Sequence, residues 1–248
     1  MASSSYLRTL RPTLSPTRLL LLPTQQRTFL SNPFAALSAL APQTTNAPPQ
    51  ILTACRTLPY PSAPVYSIIA DVPSYSKFLP YLTSSQISQW SAPDAEFGRR
   101  WPSEGTLTAG FGGIEESFVS RVYCIPGRFV ESVGGATQTS LKAGDIAHHL
   151  QETESCGPAR AADESNLLTH LRSKWSIEPM KDNNTQVSLA VEFAFANPIY
   201  SALSANVAPK VADFMIRAFE KRVQEVLDAN PKMIEASLGE MEGSELKR

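Results

Sequence analysis

Few side chains in this sequence stand at spacings that do chemistry. Glu115 and Glu116 are adjacent carboxylates, the residue type that serves in pairs for general acid–base work. Neighbours on a strand point to opposite faces, so the two read as a solvated edge and not as a working pair. His148 and His149 sit together in a polar stretch and His170 stands alone, with no HxxxH, HExxH or Cys/His spacing around them, which argues against a metal centre. Cys55, Cys124 and Cys156 are odd in number and lack a CxxC step; they suit a reducing compartment and not a disulfide framework. There is no GxSxG, GxGxxG or Walker-type loop. No catalytic residue, metal or catalytic cofactor is expected.

The remaining candidates are apolar. Tyr75, Phe78, Leu79 and Tyr81 lie in a segment fenced by Pro73 and Pro80, and supply large apolar area with two phenols. Such a segment is either a lid over a pocket mouth or a staple holding short helices to a sheet, and one residue set can do both. Val207, Val211, Phe214, Met215 and Phe219 recur at helical spacing. They line a cavity floor or pack an ordinary core. Phe111 is flanked by glycines, which suits a strand approached closely by a ligand, while Gly112-Gly113 reads as the hairpin turn itself.

The elements that must position these residues follow from periodicity. Residues 50–57 make a first strand; after Pro61, Ser62 offers an N-cap and Pro64 a first-turn residue for a helix through Ala70, and a further helical turn follows from Ser74. From Leu82 to Phe195 the pattern is one of strands. Residues 104–111 put Leu107, Ala109 and Phe111 on one face, and residues 186–195 alternate Val187, Leu189, Val191, Phe193 and Phe195 with Ser188, Ala190, Glu192 and Ala194. Further strands at 83–90, 115–124, 127–133 and 168–178 complete an antiparallel meander. Residues 136–166 interrupt it with a polar run poor in hydrophobic residues, read as a disordered insertion. Asn197 and Pro198 open a long amphipathic helix to about Asp228, with a kink or break between Asn206 and Pro209 because Pro209 cannot donate its backbone bond. Residues 229–248 are expected to be a polar C-terminal tail.

No Asp or Glu occurs before Asp71, whereas Arg8, Arg11, Arg18 and Arg27 fall in the first 29 residues among Ser, Thr and Leu. That is the composition of a mitochondrial transit peptide, and Arg27-Thr28-Phe29-Leu30-Ser31 resembles a matrix-protease site cut between Phe29 and Leu30. Residues 30–49, with Pro33, Pro42, Pro48 and Pro49, form a disordered linker. Losing the four leader arginines leaves 18 basic residues against 23 acidic ones, which speaks against nucleic acid as a partner. No span approaches the ~20 apolar residues of a transmembrane helix, so a soluble or peripheral protein is expected.

Strand, two short helices, antiparallel strands and one long amphipathic helix is the order of an α+β helix-grip (START-like) fold over residues 50–228. In it a curved antiparallel sheet wraps around the C-terminal helix. Periodicity alone leaves a fully packed α+β core open.

Three stretches carry a resemblance: ADVPSYSKFLPY at 70–81, GFGGIEESFVSRV at 110–122 and NPIYSALSANVAPKVADFMIRAFEKR at 197–222, supported by LPY at 58–60 and HLRSKW at 170–175. They resemble the mitochondrial coenzyme Q-binding proteins and their bacterial relatives, within the START/polyketide-cyclase superfamily. The departure is the long polar stretch 136–166. The resemblance implies the helix-grip fold, ubiquinone as bound ligand, and peripheral association with the matrix side of the inner mitochondrial membrane. It further implies a lipid chaperone that supports respiration and ubiquinone synthesis, with biosynthetic enzymes or respiratory complexes as partners. Tyr75, Phe78, Leu79, Tyr81, Phe111, Val207, Val211, Phe214, Met215 and Phe219 would then contact the ligand. Tyr75, Tyr81, Ser120 and Lys77 are the polar candidates for its head group. Two other readings stand beside this one: a cyclase- or aromatase-like enzyme using a pocket acid or Tyr, and a protein-interaction module like bacterial ribosome-associated relatives. Pocket polarity separates the first of these from a binding protein.

Overall fold

The computed structural model describes residues 49–111, 114–135, 137–151, 168–196 and 208–247. The expected transit peptide, nearly all of the linker, the Gly112-Gly113 turn and residues 197–207, where the expected long helix was to begin and the first part of its break was placed, lie outside the described residues.

Strand β1 (Gln50–Leu58) leads through Pro61 into helix α1 (Ser62–Ile69) and a 3₁₀ turn (Val72–Lys77). Ser62, expected to cap α1, is instead its first residue. Pro61 holds the cap position in extended conformation without a side-chain hydrogen bond, its ring already fixing the entry φ at −62°. Strands β2 (Leu82–Trp90), β3 (Pro102–Phe111), β4 (Ile114–Ile125), β5 (Phe129–Gly135), β6 (Leu168–Pro179) and β7 (Thr185–Phe195) follow, with a short helix α2 (Ala147–Leu150) between β5 and β6 and a long helix α3 (Ala208–Ala229) after β7.

The strands form one antiparallel sheet in the order β1-β7-β6-β5-β4-β3-β2, so β2 to β7 are a meander and β1 returns beside β7. Register shifts in β2 between Leu82 and Ser84 and between Ile87 and Gln89 add the local twist that lets this edge turn inward. Alternation puts Val122, Val130, Trp175, Ile177, Val187 and Leu189 on the inner face, where α1 and α3 cover them. Along α3, Ile216, Phe219, Val223, Val226 and Leu227 repeat at three- and four-residue steps and are buried, each such side chain contributing about 1.5–3 kcal/mol. Arg56 of β1 pins the helix from its open side, with Nη2 at 2.6 Å from Asp213 and Nε at 3.6 Å from Glu220. The architecture is the α+β helix grip.

Two expectations are corrected. Residues 137–151 were read as part of a disordered insertion, but they form a strap over the outer face of the sheet; residues 152–166 of that insertion lie outside the described residues. Ile146 and Leu141 pack on Tyr123 and Val133 as a second apolar cluster. The wholly buried Glu131 carboxylate accepts from the Thr139 hydroxyl, from Ser140 N (2.9 Å) and from Ser140 Oγ (2.5 Å), with Arg172 Nε at 3.9 Å. A charge buried in this way needs such donors, and polar strap residues supply them. The strap thus carries polar residues over the Glu131 carboxylate and apolar ones over Tyr123 and Val133.

Residues 229–248 were read as a polar tail. Instead a 3₁₀ turn (Pro231–Ile234) and a second one (Leu238–Glu240) lead into a hairpin of β8 (Met241–Glu242) and β9 (Glu245–Leu246). Met233, Leu238 and Met241 are buried in the main core. Their irregular spacing is why no periodicity announced them.

Candidate functional site

The inner face of the sheet is filled unevenly. Toward the C-terminal end of α3, Tyr75, Phe78, Trp175 and Phe219 make a contiguous aromatic cluster, with Phe219 at 5.0, 4.9 and 4.4 Å from the Tyr75, Phe78 and Trp175 ring centroids. Toward the N-terminal end, the strands present Gly105, Ala109, Ser120, Ser132 and Ser173, which are too small to reach the helix. The result is a cavity of about 290 Å³ between α3, the 3₁₀ turn and β2 to β6.

Tyr75, Leu79, Pro80 and Tyr81 line it from one side and Val211, Phe214 and Met215 from the other, so the fenced segment and the long helix face each other across it. Tyr81 (60% exposed), Val211 (41%) and Phe214 (57%) form an apolar rim open to solvent. Tyr81 reaches the rim with φ at +66°, a conformation seldom adopted by a bulky residue, where the chain reverses after Pro80 into β2.

Phe78 and Phe219 were expected in the lining, and the structure places them behind it. Phe219 follows Met215 by one turn of α3, on the stripe it shares with Ile216 and Val223, where helix and sheet are already in contact; Phe78 packs on it. Together they close the inner end of the cavity. Lys77 faces a separate polar groove with Arg222 and Glu245 and is absent from the cavity wall. Val207 and the Phe111 side chain lie outside the described residues. The sequence reading missed Val72, Leu82, Leu107, Val122, Val130, Ser132, Ser173 and Trp175 as lining. Leu107 had been assigned to an apolar strand face, and the same period of two in β4 to β6 was the signal that would have found the others.

The lining residues carry hydroxyls and an indole and no charge. The Tyr75 hydroxyl donates to the Ile69 carbonyl oxygen at 2.5 Å. Burial first, with the nearby Cys124 and Asp71, pushes its pKa well above the ordinary phenol value. Tyr75 is therefore a neutral, committed donor. Ser120 differs: it is 3% exposed and its Oγ has no hydrogen-bond partner among the described residues. Cys124, buried and pushed by burial to about 12, is an inert thiol. Such a chamber suits an uncharged, mostly apolar guest.

Residues 58–220 match the family described as polyketide cyclase/dehydrase and lipid transport. The chain belongs to that family. Within it the chain is 28% identical over 171 residues to coenzyme Q-binding protein coq10, mitochondrial, of Schizosaccharomyces pombe, covering 69% of this chain and 85% of that protein. It is 30% identical over 175 residues to coenzyme Q-binding protein COQ10, mitochondrial, of Eremothecium gossypii, covering 67% and 71%. The chain thus falls among the mitochondrial coenzyme Q-binding proteins of the family. A START superfamily protein from Mycobacterium smegmatis shares the fold, with a TM-score of 0.50 at 15% identity, covering 71% of this chain and 98% of that one.

The family match ends inside α3, so the C-terminal hairpin lies beyond it. Of the histidines noted in the sequence, one has a clear place in the scaffold. His149 is buried on the outer face of the sheet, where β3 and β4 diverge: its Nε2 accepts the Cys124 backbone N–H at 2.8 Å and its Nδ1 lies 2.6 Å from Ser103 Oγ. Because a backbone N–H can only donate, Nε2 is bare and Nδ1 carries the proton, which it donates to Ser103. Burial, then the neighbouring His148, push this imidazole down to about 3. It is a neutral structural bridge.

Proposed function

We propose that the protein binds ubiquinone in the cavity beneath α3 and acts as a lipid chaperone, without catalysing a reaction on it. The observation that carries this reading is an uncharged chamber of about 290 Å³ whose open rim is made of Tyr81, Val211 and Phe214. That volume stands at the low end of the ~300–1,000 Å³ of drug-sized ligand sites, so it holds the quinone ring and the first part of the tail. The rest of the polyisoprenoid leaves across the apolar rim. A tail moved into water would cost about 0.8 kcal/mol per CH₂, so the rim serves best against a bilayer.

The setting proposed is the matrix side of the inner mitochondrial membrane, with the protein bound peripherally and handing ubiquinone to biosynthetic enzymes or respiratory complexes. No helix among the described residues is long and apolar enough to cross a membrane. Mitochondrial relatives support the compartment. Binding is favoured over ring closure or dehydration because those reactions need an acid or base at the substrate: the described lining offers no carboxylate, imidazole or amine, the Tyr75 hydroxyl is held on the Ile69 carbonyl oxygen, and Tyr81 stands at the open rim.

The test is lipid extraction of the purified protein followed by mass spectrometry. Ubiquinone should be recovered in amounts approaching one per chain. Recovery of phospholipid without quinone overturns the ligand.

A further inference from the structure

The cavity wall contains one feature that shielding an apolar tail does not require. On β4, Ser120 stands opposite Gly105 of β3 and Gly134 of β5, and one rung further Val122 stands beside Ser132 of β5, itself opposite Ser173 of β6. Cross-strand partners share a face, so three hydroxyls from three adjacent strands converge on one patch of an otherwise apolar wall. Gly105, in the lining beside Ser120, leaves that patch a hollow: a Cβ there would lie 2.9 Å from the Gln86 carbonyl oxygen and from Ile87 Cδ1, so no side chain fits.

A buried hydroxyl without a partner is costly to retain, and the sequence keeps one where alanine would fit. The other polar groups near the cavity do not answer for the ligand's oxygens. The Tyr75 hydroxyl is spent on Ile69, Lys77 is elsewhere, and Tyr81 is at the open rim.

Resting on the ubiquinone reading, we infer that Ser120, flanked by Ser132 and Ser173, is the head-group subsite: its Oγ hydrogen-bonds a ring oxygen of the quinone seated in the glycine-walled hollow. A hydroxyl suits both redox states of such a ring, donating to a carbonyl oxygen of the quinone and accepting from a hydroxyl of the quinol. The ring therefore enters first, toward the serines, and the tail trails past Val211 and Phe214 to the rim. Specificity comes from the serines, because the rest of the wall takes any apolar chain.

The test titrates the full chain with ubiquinone bearing two isoprene units, read by quenching of tryptophan fluorescence, Trp175 being in the cavity lining. Farnesene, a tail with neither ring nor oxygen, is titrated in parallel by its displacement of an apolar fluorescent probe. Ser120→Ala should weaken quinone binding about 3–10-fold, leave farnesene binding unchanged, and hold or raise the melting temperature, since it removes an unpaired buried hydroxyl. Equal quinone affinity in wild type and Ser120→Ala overturns the serine subsite while leaving the cavity as a quinone site. Parallel loss for quinone and farnesene also overturns it, since that is a change of shape. A wild-type protein that binds neither quinone nor farnesene overturns the ubiquinone reading and the subsite together.

Discussion

Phe219 and Trp175 meet with ring centroids 4.4 Å apart and planes at 63°, and the pair marks where the packed half of the domain ends and the hollow half begins. Trp175 shows one side to the cavity, whereas Phe219 is wholly behind it. Phe219→Ala therefore removes a partition. Losing its contacts with Tyr75, Phe78 and Trp175 should cost about 3–5 kcal/mol, seen in urea unfolding as a lower midpoint with little change in slope. A loss below about 1 kcal/mol would mean that α3 is not seated through this residue.

Phe214 gives the opposite result. It is more than half exposed at the cavity mouth, so Phe214→Asp should alter stability by no more than about 0.5 kcal/mol. A carboxylate at the mouth must be desolvated as an apolar tail passes or as the rim meets a bilayer, and quinone uptake from vesicles should be lost. Val211→Lys should behave alike. Normal uptake by either folded variant would put the entrance elsewhere.

The scaffold was legible where burial imposes a period. Strand alternation in residues 186–195 and the three- and four-residue steps of α3 name the inward faces, because one face of each element is wet. The cavity was legible only in outline. Whether Phe219 or Met215 lines it depends on where the helix lifts from the sheet, and that is set by the small residues Gly105, Ala109, Ser120 and Ser173 on strands remote in sequence. Ser120 alone of the three serines was singled out, since a serine on an inner face looks like any strand serine until its neighbours prove to be glycines. The strap at 137–151 was illegible for another reason: its polar residues answer a buried carboxylate at Glu131 that composition presents as one more surface charge.

His149 makes stability pH-dependent. Its imidazole is held neutral at about 3 in the fold against about 6.5 in the unfolded chain, so between those values the unfolded state binds more protons. The contribution is complete above about pH 6.5 and is lost as pH falls through that window toward 3, at up to about 1.4 kcal/mol per pH unit. Protonation would also set an N–H of the ring against the Cys124 N–H. In denaturant series from pH 7 to pH 4.5, His149→Gln should be less stable than wild type at pH 7, with a difference that shrinks as the pH falls. A constant difference would show that His149 titrates alike in both states.

The C-terminal segment beyond α3 should prove indispensable to folding. Its hairpin reaches back to the first helical layer: Ser67 Oγ donates to the Gly243 carbonyl oxygen at 2.6 Å, Ser244 Oγ to Asp71 at 2.5 Å, and the buried Arg99, stacked on Trp101, donates to the Leu238 carbonyl oxygen at 3.4 Å. Burial of Met233, Leu238 and Met241, at about 1.5–3 kcal/mol each, is comparable to the whole stability of a domain, about 5–15 kcal/mol. A chain ending at Ala229 should lose its cooperative thermal transition. Gly243→Ala tests the hairpin alone, because Gly243 holds φ at +58° and its new methyl group would lie 2.9 Å from the Asp71 carboxyl. Both strains act in the same direction, and a loss of about 1–3 kcal/mol is expected, with cooperativity retained. A truncated chain that melts cooperatively at the wild-type temperature would return this segment to the status of a tail.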